Sequence, residues 1–131
     1  MTGAVPECRF CLENRLLVDE LILETEHFYM LGSIDPMVPV AGMVVPKRHS
    51  TDPFDFTSDQ WRDFGKALNA AKAHFDDKAP DGFTLGWNVG GVAGQHVFHA
   101  HLHIIPRFKG EPNEGVGIRR VLRTPSWRPE N

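Results

Sequence analysis

The chain is poor in cysteine and tyrosine, carries little net charge and has no long hydrophobic run. Two cysteines and one tyrosine stand among 131 residues; a framework of several disulfides is excluded, and stability must come from a packed core. At this length a single domain buries roughly two-thirds of the surface its extended chain exposes, which is enough for such a core. Fourteen Lys and Arg against seventeen Asp and Glu leave a formal charge of -3. That balance argues against a nucleic-acid partner, which needs a broad basic surface, but leaves room for one small phosphate ligand. No stretch approaches the ~20 apolar residues of a membrane span, and Met1-Thr2-Gly3-Ala4-Val5-Pro6-Glu7 lacks the basic and apolar regions of a secretion signal. The expected compartment is the cytoplasm, with no membrane partner. With no repeat, low-complexity tract or like-charge block, residues 1–131 read as one domain with an N-terminal arm (1–20) and a C-terminal tail (109–131).

What is concentrated is histidine: four of the seven fall between His96 and His103. Glycine and proline cluster near 32–53, 80–94 and 106–129, where they mark turns and loops. Between those breaks, Leu21 to Leu31 reads as a strand, with a helix as the competing reading, and Val38 to Val45 reads as a strand ending at Pro46. Thr57-Ser58-Asp59-Gln60 matches a capping box and opens the clearest helix. Its stripe of Trp61, Phe64, Leu68, Ala71 and Phe75 is expected to face a sheet, with Pro80 and Gly82 ending the helix. Phe83 to Asn88 and Val97 to Ile105 complete the strands, and their order around one helix predicts an α+β fold on a mostly antiparallel sheet.

Within Val97–Ile105 the period is two, so His99, His101 and His103 share one face while Phe98, Ala100, Leu102 and Ile104 share the other. Gln95 has the parity of the histidines. Gly90, Gly91 and Gly94 just upstream free the backbone to bring N–H groups to an anion. A phosphate site beside a row of imidazoles is the natural inference, and its rival is a metal site, since neutral imidazoles on one face are good zinc ligands. Cys8-Arg9-Phe10-Cys11 is ambiguous by itself, because CxxC serves redox, zinc and iron-sulfur sites alike. His27 and His74, isolated, receive no role.

Gly94-Gln95-His96-Val97-Phe98-His99-Ala100-His101-Leu102-His103-Ile104-Ile105 resembles the signature of the histidine triad (HIT) family of nucleotidyl hydrolases and transferases. Val44-Val45-Pro46-Lys47-Arg48-His49 is similar to the family's strand-to-loop segment, Asn88 to a family asparagine, and the CxxC to the zinc-binding N-terminus of many prokaryotic members. The resemblance runs over about residues 8–108. It implies a HIT-like fold of about five strands, one main helix and short extra helices. It also implies that His101 attacks the α-phosphorus of a nucleotide to form a nucleotidyl-histidine that water hydrolyses. Neutral imidazole suits that task because it is nucleophilic near pH 7. By the same resemblance His103 donates to the phosphate oxygens, Gln95 orients leaving group and water, and Asn88 with the Gly94 amide completes the phosphate contacts. Cys8, Cys11, His49 and His99 would hold a structural zinc, with no catalytic metal required, and the chain would form a homodimer.

Two departures from the family pattern stand out. His96 takes a place usually held by Ser or Thr; it either supplies a proton to the leaving group or points away from the row. Ser33 and Ala41 fall where the family has a ribose-binding acidic residue and a histidine, and Asp35 replaces the former only if the loop shifts. Ser33, Ile34 and Asp35 are therefore taken as the nucleoside-facing segment. The implied substrate is a purine nucleotide or dinucleotide of the adenosine phosphoramidate, aminoacyl-adenylate or diadenosine polyphosphate type. Ser33, Ala41 and His96 motivate the alternative of a nucleotide sensor or scaffold with little turnover. A hydrolase using all three histidines as ligands of a catalytic metal is the other rival. Trp127 in the tail is read as a docking or dimer contact, and Arg119, Arg120 and Arg123 as a solvated face.

Overall fold

Leu21–Leu31 folds as a hairpin and not as one strand in the computed structural model, which describes residues 3–33, 40–123 and 125–129. β1 (Leu21–Glu24) and β2 (Phe28–Gly32) pair antiparallel. The turn between them is pinned by the Asp63 carboxylate, which accepts from Thr25 Oγ1 (2.7 Å) and from the His27 backbone N–H (2.8 Å). β3 (Gly42–Pro46) follows, then α1 (Ser58–His74), β4 (Gly82–Trp87) and β5 (Leu102–Arg107). The five strands form one sheet in the order β1-β2-β3-β5-β4, and every pairing is antiparallel. The expected α+β architecture is present, with short 3-10 turns such as Gly91–Ala93 between the larger elements.

Strand alternation assigns each face its cover. Phe28, Met30, Val44, Leu102 and Ile104 point toward α1 and pack with Ala67, Ala71 and Phe75. Tyr29, Leu31 and Val45 point the other way and pack with Phe10 and the N-terminal arm, whose backbone Tyr29 holds by donating its hydroxyl to Phe10 O at 2.6 Å. β2 is buried on both faces for this reason, which explains a strand with no polar alternation.

The capping box forms as read: Thr57 Oγ1 accepts from Gln60 N (3.1 Å), and Gln60 Oε1 accepts from Thr57 N (2.8 Å). The buried stripe is rotated from the expected one. Gln60, Asp63, Ala67 and Ala71 are the buried helix residues, while Trp61 is 46% exposed at the rim of a cluster with Phe56, Phe64 and Trp87. Gln60 and Asp63 turn inward because both have backbone groups to satisfy there, and an apolar count along the helix does not register that. The helix stops at His74 with Phe75 as its cap, ahead of Pro80.

The last strand is also shorter than expected. β5 begins at Leu102; 97–101 is irregular, with Ala100 N donating to Ser50 O (2.6 Å). Val44 pairs with Leu102, so a longer ladder would set Pro46 opposite Ala100. Pro46 has no N–H to donate, and its carbonyl accepts from the His99 ring at 2.7 Å. The alternation therefore fails upstream: Phe98, expected in the core, is 53% exposed.

Candidate active site and metal centre

The break in the ladder separates the three histidines into different roles. His99 is fully buried, with Nε2 donating to Pro46 O and Nδ1 facing two sulfurs, at 3.5 Å from Cys8 Sγ and 3.6 Å from Cys11 Sγ. His49 Nδ1 lies 3.3 Å from Cys11 Sγ. All four ligand atoms fall within 4.8 Å of one another. Zinc bonds of about 2.3 Å to sulfur and about 2.0–2.1 Å to nitrogen give tetrahedral S···N edges of about 3.5 Å, so the donor set fits that ion. Burial pushes His99 down to about 4, keeping it neutral with a lone pair to give. Burial also lifts the Cys11 thiol to about 11, opposite to the lowered value of a redox-active CxxC. The Pro46 carbonyl fixes the tautomer of His99 and orients its ring toward the cluster.

His101 faces elsewhere. Its Nδ1 donates to His99 O at 2.8 Å, which leaves Nε2 as the free lone pair of the ring. Burial, ahead of the neighbouring Arg9 and His96 charges, lowers its pKa. His103 lies beside it with ring centroids 5.1 Å apart, its pKa lowered first by burial and then by His101. Both line a cavity of about 620 Å³ on the sheet face opposite α1, within the size range of small-ligand sites.

Asn88, Gly94 and His96 form one end of this cavity. Gly90 and Gly94 adopt φ of +88° and +98°, which glycine alone takes without strain, and between them they turn the chain tightly around Gly91–Ala93. His96 is exposed and lines the same cavity as His101 and His103. Gln95 departs from its expected place. It is buried outside the cavity lining, with Oε1 accepting from Gly90 N (2.8 Å) and Nε2 donating to Thr51 O (2.8 Å) and Val97 O (3.1 Å). In this arrangement it braces the glycine loop. Ser33 and Ala41 also line the cavity, whereas Ile34 and Asp35 lie outside the described residues.

Two lining residues carried no signal in the sequence. Arg9 and Asp19 join by an ion pair of 2.6 Å. Arg9 is locatable only through its neighbours: residues held between two metal ligands are carried to the metal, and Phe10 stands edge-on to both His99 and His101 at centroid distances of 6.1 and 5.2 Å. Nothing in the local sequence marks Asp19.

The family model of the HIT domain matches residues 16–110. The chain belongs to the HIT family. An uncharacterized HIT-like protein of Methanocaldococcus jannaschii is 32% identical over 105 residues, covering 79% of this chain and 81% of that one. A bis(5'-adenosyl)-triphosphatase of Dictyostelium discoideum is 34% identical over 94 residues, covering 69% of this chain and 61% of its own. The crystal structure of a zinc-bound histidine triad family protein from Mycobacterium smegmatis superposes with a TM-score of 0.68 at 29% identity, covering 81% of this chain and 78% of that one. The five-stranded sheet with one main helix is thus the HIT fold, and Cys8, Cys11, His49 and His99 form a cluster suited to zinc in a family that includes a zinc-bound member.

Proposed function

We propose that this HIT protein is a nucleotidyl hydrolase or transferase that cleaves a phosphoramidate or phosphoanhydride bond at an α-phosphate through a nucleotidyl-His101 intermediate. The observation that carries it is the Nδ1–H of His101 held on the His99 carbonyl, which makes Nε2 a neutral nucleophile on the cavity wall. The Nε2 lone pair forms the bond to phosphorus, and the bond to the leaving amine or phosphate breaks, the leaving group taking the electron pair. A proton reaches that atom from His96 or solvent. Water then attacks phosphorus and loses its proton to solvent or to His96, while the bond from phosphorus to Nε2 breaks and its electron pair returns to His101. His103 donates to the oxygens on which charge develops, and Asn88 adds a further donor from the glycine-loop side of the cavity.

Cys8, Cys11, His49 and His99 hold zinc in a structural role in this reading, clamping the arm while His99 offers its carbonyl to His101. The catalytic-metal rival loses support because His101 and His103 stand outside the four-ligand cluster. The substrate is a purine nucleotide of the phosphoramidate, aminoacyl-adenylate or dinucleoside polyphosphate type, a reading supported by the triphosphatase relative. A homodimer is part of the proposal, and light scattering tests it. Among the described residues no helix is long and apolar enough to cross a membrane, and the expected compartment is the cytoplasm.

The test mixes the protein with adenosine phosphoramidate, an aminoacyl-adenylate mimic and diadenosine triphosphate and follows AMP release. Release by the parent and none above background by His101→Ala supports the proposal. Tight nucleotide binding without release selects the sensor reading and overturns it.

A further inference from the structure

The cavity has two chemically different ends. Around Asn88, Gly94 and His96 it offers a carboxamide and an imidazole, donors suited to a phosphate. Beyond His101 and His103 it is walled by Phe10, Ala41, Met43 and Ile105, an apolar lining suited to a flat ring. Arg9 stands in that apolar wall, its guanidinium carbon 5.0 Å from the centre of the Phe10 ring. A cation in a wall otherwise built for a ring has to be explained by what it touches.

The protein uses little of this guanidinium. Among the described residues its only hydrogen bond is Nη2 to Asp19 Oδ1 at 2.6 Å, and Nε is buried with no partner. Nη1 therefore has no protein partner there, and Nη2 has a hydrogen to spare. The Asp19 side chain is only 2% exposed, and its Oδ1 is committed to Arg9. Asp19 offsets part of the charge of Arg9, which still reaches His101. A second phosphate gains less from such a pair than from a lone cation, whereas an uncharged acceptor is served by the donors alone. Phe10 covers one face of the guanidinium and Asp19 holds one edge, fixing its plane.

Granting the nucleotide reading above, we infer that Arg9 selects the base, donating from its outer edge to a 6-oxopurine and favouring guanine or hypoxanthine over adenine. Guanine and hypoxanthine present N7 and O6 as adjacent acceptors, which a guanidinium meets with two parallel donors; adenine places an amino donor at the second position. Arginine has five donors and no acceptor, so the amino group has nothing to bond and a buried donor is left opposite another. Asp19 is the positioning residue that holds the fork in plane.

Calorimetric binding of GMP, IMP and AMP tests this without requiring turnover. The parent is expected to bind GMP and IMP about tenfold more tightly than AMP, the size of one bidentate base contact. Arg9→Met should bring the three together, weakening GMP and IMP and relieving AMP of the opposed donors. Arg9→Gln should turn the preference toward AMP, because a carboxamide offers the donor and acceptor that adenine needs. Metal content and thermal melting of each variant establish that the arm is still in place. The inference is overturned if the parent binds AMP as tightly as GMP, or if the ratio survives in Arg9→Met. It is equally overturned if Arg9→Met weakens AMP, GMP and inorganic pyrophosphate by one factor, since Arg9 then holds phosphate. Discrimination among mononucleotides with no product release from any phosphoramidate would sink the proposed reaction and leave this assignment standing; equal turnover of guanosine and adenosine phosphoramidates would do the reverse.

Discussion

His101 and Asp63 show how a single side chain is set by the groups around it. Burial disfavours the charged form of His101, and its free nitrogen is chosen by the carbonyl that takes the other one. Among the described residues His103 has no side-chain hydrogen bond but shares the cavity wall, which suits a donor used only when charge builds. His103→Ala is expected to lower kcat by about 10²–10³, the size of one lost donor to a developing oxyanion, with KM for the same phosphoramidate little changed. Asp63 is buried, which raises its pKa, but the Thr25 hydroxyl and the His27 amide bond the ionised form and bring it below the ordinary 3.8. A carboxylate with a depressed folded pKa contributes stability above its unfolded value and loses it as pH falls through the folded one. Urea melts between pH 7 and 2 should therefore show an acid-dependent loss that is reduced in Asp63→Asn, with the variant less stable by ~1–2 kcal/mol at neutral pH.

At the scale of elements, α1 is set at its start by the reciprocal bonds of Thr57 and Gln60 and along its length by the apolar face of the sheet. Thr57→Ala removes the hydroxyl that accepts from Gln60 N, and should cost about 1 kcal/mol in thermal or chemical unfolding with no change in nucleotide affinity. The glycine loop is braced from behind by Gln95, whose amide satisfies Gly90, Thr51 and Val97. β5 stops where Pro46 withholds an N–H, and the freed segment is what allows His99 to turn to the sulfurs while His101 turns to the cavity.

For the whole molecule, the arm and the sheet form one body through Tyr29, Phe10 and the four-ligand cluster. Cys8→Ser should lower the bound zinc from one per chain toward none, reduce the melting temperature and weaken nucleotide binding, since Arg9 and Phe10 ride on the same arm. Elemental analysis beside a melting curve checks this; an unchanged metal content would remove Cys8 from the ligand set. Stripping the parent with a chelator should lower the melting temperature in the same direction, because an ion bound to the folded state alone stabilises it by mass action.

The repeat His99, His101, His103 marked where the four-ligand cluster and the cavity lie, and the Thr57–Gln60 box determined where the helix starts, because both depend on residues a few positions apart. The cysteine pair marked a metal centre once His49 and His99 were set beside it. The tertiary structure alone decided the rest. That the histidines divide between a metal cluster and a cavity follows from a missing N–H at Pro46, 53 residues away from His99. That Asp63 faces inward follows from the β1–β2 turn, whose His27 N–H and Thr25 hydroxyl it satisfies. That Arg9 and Asp19 meet at the cavity wall follows from a packed arm and an ion pair spanning ten residues, a contact with no local periodicity to announce it. Local bonding patterns are written in neighbouring residues, whereas partners brought together by the closing of a sheet are specified only when the whole core is packed.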